Sequence, residues 1–376
     1  MLSQFFKDKS VLVTGHTGFK GSWLCLWLHR LGAKVTGLSL EPPTNPNHFT
    51  DANIVDLLAS HILADIRDEK AVGRAIEESQ PDLILHLAAQ TIVRRGYREP
   101  LETFSTNVMG TACVLEAIRL AKRPCSVVVV TSDKCYDNRE QVWGYRETDP
   151  MGEKDPYGSS KGAAELVVRS YRDSYFPVSK IAQHGIKVAS ARAGNVIGGG
   201  DWTEDALLVD VIKALSIREP VIVRNPNAFR PWNHVLQALS GYLTLSARLM
   251  TSNDPAYCSG WNIGPIPGNE IPVREVVELL LDEWGEGSWM DGSDPSAPRE
   301  AGILRLSIDK AIWELNWKPC WDVRESIRQT AKWYRHRQGN EGSMRDFSLS
   351  QIVEYEEAMR FNAAGQLVLP NSFVSS

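Results

Sequence analysis

The sequence predicts an α/β protein, a doubly wound parallel sheet followed by a smaller mixed α/β lobe. Three observations predict it. Short apolar runs alternate with helical patterns through the first half of the 376 residues. The first run leads directly into a glycine-rich turn and a helix. After about Asn195 the rhythm breaks, and Trp and Pro become frequent. The boundary is therefore expected there. Residues 1–194 form the first domain, to which some later segments return, and 195–376 form the second lobe with the C-terminal helices.

Ser10–Thr14 reads as a buried strand, and Lys20–Leu31 as a helix closed by Gly32, a residue suited to the position past a helix end. Lys34–Leu40 and Ser60–Ala64 are the next strands. Asp68 caps a helix running to Ser79. Asp82–Ala88 is a strand, Pro100–Lys122 a long helix, and Ser126–Thr131 a strand rich in β-branched residues. Tyr157–Phe176 is a helix and Lys187–Ala193 a strand. Strands apolar on both faces, alternating with helices, call for a parallel sheet covered on both sides. In the second lobe, Thr203–Arg218 reads as a helix, Val221–Arg224 as a strand, and Trp284–Arg299 as an exposed loop.

Composition excludes several functions. A net charge of −5 and a pI near 6.0 give no general attraction to nucleic acid or anionic membrane. No apolar run is long enough to span a bilayer, and the N-terminus lacks a signal-peptide pattern, so a cytoplasmic location is expected. The six cysteines form no C-x-x-C pair and are expected as free, mostly buried thiols. The eight histidines show no ligand spacing, so no metal site is expected.

Gly15, Gly18 and Gly21 follow a strand and open a helix, the setting that gives a glycine motif meaning. Gly15 permits the tight turn, Gly18 close approach of the backbone to a pyrophosphate, and Gly21 close packing of helix on strand. Free N–H groups and the dipole at the helix start favour phosphate, with Thr17 and Phe19 beside it. This is a Rossmann-type dinucleotide site. The second strand ends in Gly37-Leu-Ser-Leu-Glu41, with the acid late for the ribose hydroxyls and no Arg or Lys for a 2′-phosphate. NAD is therefore expected over NADP.

Tyr157 and Lys161 stand four residues apart and share a helical face. A free phenol, with a pKa of ~10, is a poor base at neutral pH. A nearby ammonium favours the phenolate, which can then take the proton of an alcohol as hydride leaves carbon.

The G-x-x-G-x-x-G spacing with Tyr157-Gly-Ser-Ser-Lys161 resembles the extended branch of the short-chain dehydrogenase/reductase superfamily. The resemblance implies cofactor contacts from Asp65 and Ile66 at the adenine. It also implies them from Leu87, Ala88, Ala89 and Gln90 beside the nicotinamide ribose, from Asn107 in the central helix, and from Thr131, Tyr157 and Lys161. After the fifth strand comes Ser132-Asp133-Lys134, followed by Cys-Tyr-Asp-Asn. Epimerases of this superfamily need only the Ser, to steer a hydroxyl toward the tyrosine. Two ionisable residues after it resemble the nucleotide-sugar 4,6-dehydratases, whose usual triplet is Thr-Asp-Glu. The Ser-Asp-Lys version, with Gly198-Gly-Gly-Asp-Trp202 and Arg230-Pro-Trp232, resembles the CDP-sugar members. Asn195, Arg224, Arg230 and His234 then match substrate contacts. The implied substrate is CDP-D-glucose, and NAD is retained rather than consumed. The implied pathway class is deoxysugar synthesis for bacterial surface polysaccharide such as O-antigen. The implied assembly is a homodimer or a dimer of dimers through helices 100–122 and 157–176. Trp317-Lys-Pro and Thr330-Ala-Lys-Trp333-Tyr334 are read as packing. A 4-epimerase, another 4,6-dehydratase and a non-catalytic dinucleotide sensor are the competing functions.

Overall fold

The computed structural model describes residues 2–265, 268, 270–293 and 303–365. Seven parallel strands form the main sheet: β1 (Ser10–Thr14), β2 (Lys34–Ser39), β3 (Ser60–Leu63), β4 (Leu83–His86), β5 (Cys125–Val130), β6 (Ile186–Ala193) and β7 (Gly260–Ile263). Their order is β7-β6-β5-β4-β1-β2-β3. The chain runs outward from β1 to β2 and β3, then returns to β4 on the other side. The switch point thus lies between β1 and β4, where an open parallel sheet forms its ligand crevice. β7 belongs to the late part of the sequence and completes the sheet edge against β6.

Alternation along each strand feeds two cores. Val11 and Val13 pack with Trp23, Leu24 and Trp27 on one face. Leu12 packs with Val114, Ile118 and Val168 on the other. Five helices matter for the site: α1 (Phe19–Arg30), α2 (Glu69–Ser79), α3 (Gly110–Ala121), α4 (Pro156–Ser174) and α5 (Val235–Thr251). Asp68 caps α2 as expected, accepting from the N–H groups of Lys70 and Ala71. The six cysteines are unpaired, five of them buried.

Three expectations about elements need correction. The helix expected over 100–122 is not uniform: Ser105–Met109 forms a π-turn between Pro100–Phe104 and α3. The helix expected from Thr203 begins only at Leu207. The Asp201 carboxylate holds the N–H and hydroxyl of Thr203 in a turn, and Asp205 takes a positive φ of 62°. Within the loop expected over 284–299, Trp284 still ends a helix and Trp289–Asp291 is a strand pairing with Val221–Val223. Residues 294–299 of that expectation lie outside the described residues.

Candidate active site

The glycine turn fits a dinucleotide. Gly15 has φ +77°, and a Cβ there would lie 2.7 Å from the Ala88 nitrogen. A Cβ on Gly21 would lie 2.0 Å from the Gly15 carbonyl oxygen, so α1 packs on the turn only with glycine. On Gly18 the space is open apart from that same oxygen at 3.4 Å. Gly18 caps α1 without a side chain, which leaves the first-turn N–H groups available to an anion. Open space and free donors together form a cradle of the right chemistry for a pyrophosphate.

Around the cradle, Thr17 hydrogen-bonds Ser39 and the carbonyl of Leu40. Ser39 ends β2 beside the glycine turn, and Glu41 is exposed. Asp65 pairs with Arg67 at 2.6 Å, and Arg67 reaches on to Glu102 at 2.7 Å. Ile66 lies under α3, where only glycine fits: a Cβ on Gly110 would be 2.4 Å from it. Leu87, Ala88 and Ala89 are half-buried at the carboxyl end of β4. Asn107, in the π-turn, exchanges both hydrogen bonds with the Gln90 backbone and donates to Ser160 on α4. One asparagine therefore ties the segment after β4 to the helix that carries Tyr157.

That helix starts at a defined point. The Asp155 carboxylate accepts from the N–H groups of Tyr157 and Gly158, and Pro156 occupies the first turn. α4 then packs closely on the loop after β5. A Cβ on Gly158 would come within 2.6 Å of the Lys134 carbonyl oxygen, and one on Gly162 within 3.0 Å of that of Cys135. The loop leaves β5 extended at Ser132 and turns tightly through Asp133–Cys135. Ser132 lies beside Tyr157, donates to Asp133 Oδ1 at 3.0 Å, and accepts from the Lys134 N–H at 3.2 Å.

Asp133 is 1% exposed, and its Oδ2 has no hydrogen-bond partner among the described residues. Burial pushes its carboxyl up, while the charges of Lys134 and Arg230 pull it down. A group so placed can hold a proton and give it away. Lys134 is half-buried beside it. Tyr157 is also buried, and loss of solvent pushes its phenol up, opposed by the neighbouring Ser132 hydroxyl. The sequence assigned the lowering to Lys161. In the structure the Lys161 ammonium lies 3.4 Å from the Val130 carbonyl oxygen.

Burial, then repulsion from Lys20, pushes Lys161 down to about 7. This has a consequence for stability. Above ~10.4 the amine is neutral in both folded and unfolded chains. As pH falls below that, the unfolded chain takes a proton the fold resists, so a penalty grows until about pH 7 and is constant below. Lys161→Met in the cofactor-free protein should therefore raise the melting temperature at pH 6 and lose that advantage toward pH 10. Thermal unfolding across that range measures it, and a pH-independent difference would contradict it.

A cavity of about 230 Å³ adjoins this centre, lined by Asn195, Asp205, Asp210, Arg224, Arg230 and Tyr334 among others. Arg230 is buried, whereas Arg224 is 42% exposed and paired with Asp205 and Asp210. His234 is not brought to the cavity wall. Its ring is fully buried against Trp321, and Nδ1 caps α5 by accepting from the Leu236 N–H. Of the residues read as packing, Trp317 and Trp333 are buried in the core, while Tyr334 also lines the cavity.

Two features escaped the sequence reading. Lys20, inside the glycine motif, lies near Lys161, Asp133 and Asp201, and burial pushes it down to about 8. A lysine among glycines was the available signal. Glu165 and Arg192 form a buried ion pair beneath the loop. The i+4 step from Lys161 pointed to Glu165, but nothing local pointed to its partner.

The family model described as GDP-mannose 4,6 dehydratase matches residues 12–245. A CDP-glucose 4,6-dehydratase of Salmonella typhimurium is 47% identical over 88% of this chain and 92% of its own. A dTDP-glucose 4,6-dehydratase of Streptomyces antibioticus is 30% identical over 87% of this chain and 92% of its own. Among solved structures, a UDP-glucose 4-epimerase of Thermus thermophilus in complex with NAD superposes with a TM-score of 0.72 at 25% identity, covering 86% of this chain and 98% of that one. A dTDP-glucose 4,6-dehydratase of Streptomyces venezuelae with NAD bound gives 0.74 at 24% identity, covering 88% and 98%.

Proposed function

The chain belongs to the GDP-mannose 4,6 dehydratase family, and from that premise we propose that it converts CDP-D-glucose to CDP-4-keto-6-deoxy-D-glucose and water. One observation carries the reading. A buried carboxyl with an oxygen unpartnered among the described residues and a lysine sit on the loop whose Ser132 lies beside Tyr157, which is more acid–base equipment than alcohol oxidation requires. The relative at 47% identity supports CDP-D-glucose in particular.

NAD, when bound, supplies a reversible hydride acceptor and a positive ring near the phenol. The chain does the rest. Gly15, Gly18 and Gly21 with the start of α1 hold the pyrophosphate, and Lys161 holds the nicotinamide ribose. Tyr157 removes the O4 proton, with Ser132 steering that hydroxyl. The resulting ketone acidifies C5, and Lys134 is the group that removes its proton. Asp133 gives its proton to the C6 hydroxyl, which leaves as water. The hydride taken from C4 ends at C6, Lys134 returns a proton to C5, and the O4 proton left on Tyr157 is released to solvent, from which Asp133 is reprotonated. No net oxidation occurs, so the reaction is that of a hydro-lyase. Asn195 and Arg230 hold the sugar nucleotide's phosphates, with Arg224 at the outer wall.

No helix among the described residues is long and apolar enough to cross a membrane, and the reading places the enzyme in the cytoplasm with its water-soluble substrate. Leu101, Met109 and Leu166 are more than half exposed on the 100–121 and 156–174 helices, which supports a dimer through those faces. Incubation with CDP-, dTDP-, UDP- and GDP-glucose, read by mass, tests the proposal. A product one water lighter from CDP-glucose is expected, and preference for another base would contradict it.

A further inference from the structure

Both ends of the Ser132–Lys134 loop are tied to one buried ion pair. Glu165 follows Lys161 by one helical turn and Tyr157 by two, so the three share a face of α4. Its carboxylate and the Arg192 guanidinium on β6 meet at 2.8 Å, each side chain 4% exposed. The contact is bidentate, from Nε to Oε1 and Nη2 to Oε2. Glu165 also accepts from Thr131 at 2.5 Å and from Ser190 at 2.7 Å. The remaining Arg192 nitrogen donates to the Tyr136 hydroxyl at 2.8 Å and to the Glu147 carbonyl. Tyr136 donates onward to Asn262 on β7 at 2.6 Å. Even β7 is cut to fit, because a Cβ on Gly260 would lie 2.4 Å from Arg192.

Thr131 immediately precedes the catalytic triplet, and Tyr136 closely follows it. The two residues that bracket Ser132-Asp133-Lys134 are therefore fastened to the helix that presents Tyr157. Burying an ion pair is costly, and well-packed apolar side chains often match it in stability. Geometry is what such a pair provides that apolar packing does not.

We propose that the Glu165–Arg192 pair is a positioning device that sets the register of the acid–base loop against Tyr157. This rests on the dehydratase reading. Tyr157 and Lys161 belong to α4 and keep their relation to the cofactor whatever the loop does. Asp133 and Lys134 belong to the loop. Weakening the tie therefore withdraws both elimination groups, Asp133 and Lys134, whereas oxidation loses only the steering by Ser132 and keeps its base, Tyr157, on α4. Displacements of about 1 Å cost on the order of a hundredfold in rate.

Glu165→Gln tests this, since it keeps the shape and the acceptor for Thr131 but removes the charge. Expected is a fall in kcat of about ten- to a hundredfold with little change in KM. Reduced-nicotinamide absorbance should build up in the steady state, where the parent enzyme shows none. Glu165→Asp, which keeps the charge, should recover part of the rate and lower that signal. Should Glu165→Gln fail to fold, Thr131→Val removes one tie and leaves the pair, with the same expected signature. A fall in kcat without build-up of reduced nicotinamide would overturn the proposal, as would unchanged kinetics. A parent enzyme that forms no dehydrated product contradicts the dehydratase reading and, with it, this one.

Discussion

Tyr157→Phe lowers kcat on CDP-glucose by roughly a thousandfold and leaves substrate and cofactor binding nearly unchanged. The phenol is the group placed to take the O4 proton, and positioned acid–base groups contribute on the order of 10²–10⁴ in rate. The ring itself packs among buried neighbours, and Phe preserves that packing. Because the first proton transfer is lost, no reduced nicotinamide forms and C5 does not exchange with solvent. Rapid-mixing absorbance and proton exchange at C5 check both points. Formation of reduced nicotinamide at the normal rate would show that another group is the base.

Lys134→Ala gives an equally large loss of product but a different intermediate. Oxidation at C4 depends on Tyr157 and Ser132 and continues, while removal of the C5 proton stops. Overall turnover should fall by about 10²–10⁴, with one equivalent or less of reduced nicotinamide held per site. Asp133 also loses the nearby charge that pulls its carboxyl down, so its hold on a proton strengthens and a weakened acid is not the cause. Normal turnover by this variant would remove Lys134 from its assigned role. The pair of variants separates the two halves of the reaction, one blocked before oxidation and one after it.

Much of this site was legible because its parts are local in sequence. Gly15, Gly18 and Gly21 are constrained by one strand–turn–helix unit. Tyr157 and Lys161 are fixed by one helical turn, and Ser132-Asp133-Lys134 by one loop. What escaped depends on pairing between distant segments. Arg192 becomes meaningful only when β6 is laid beside α4, and the Trp289–Asp291 strand only beside Val221–Val223. His234 sits in a motif suggestive of substrate contact, yet the start of α5 turns its ring inward to cap the helix. The π-turn at Asn107 is set by hydrogen bonds to Gln90 and Ser160, neither of which periodicity can register. Arg224 reads in sequence as an added charge at the substrate or as a surface residue, and the fold sets it on the cavity wall with Asp205 and Asp210 against it.

The central claim is that hydride is borrowed from C4 and returned within the same sugar. CDP-glucose carrying deuterium at C4 tests it most directly. The account predicts a product one water lighter than the substrate, with the deuterium at C6 and no free reduced cofactor. A product of unchanged mass with the deuterium still at C4 would contradict it and identify a 4-epimerase.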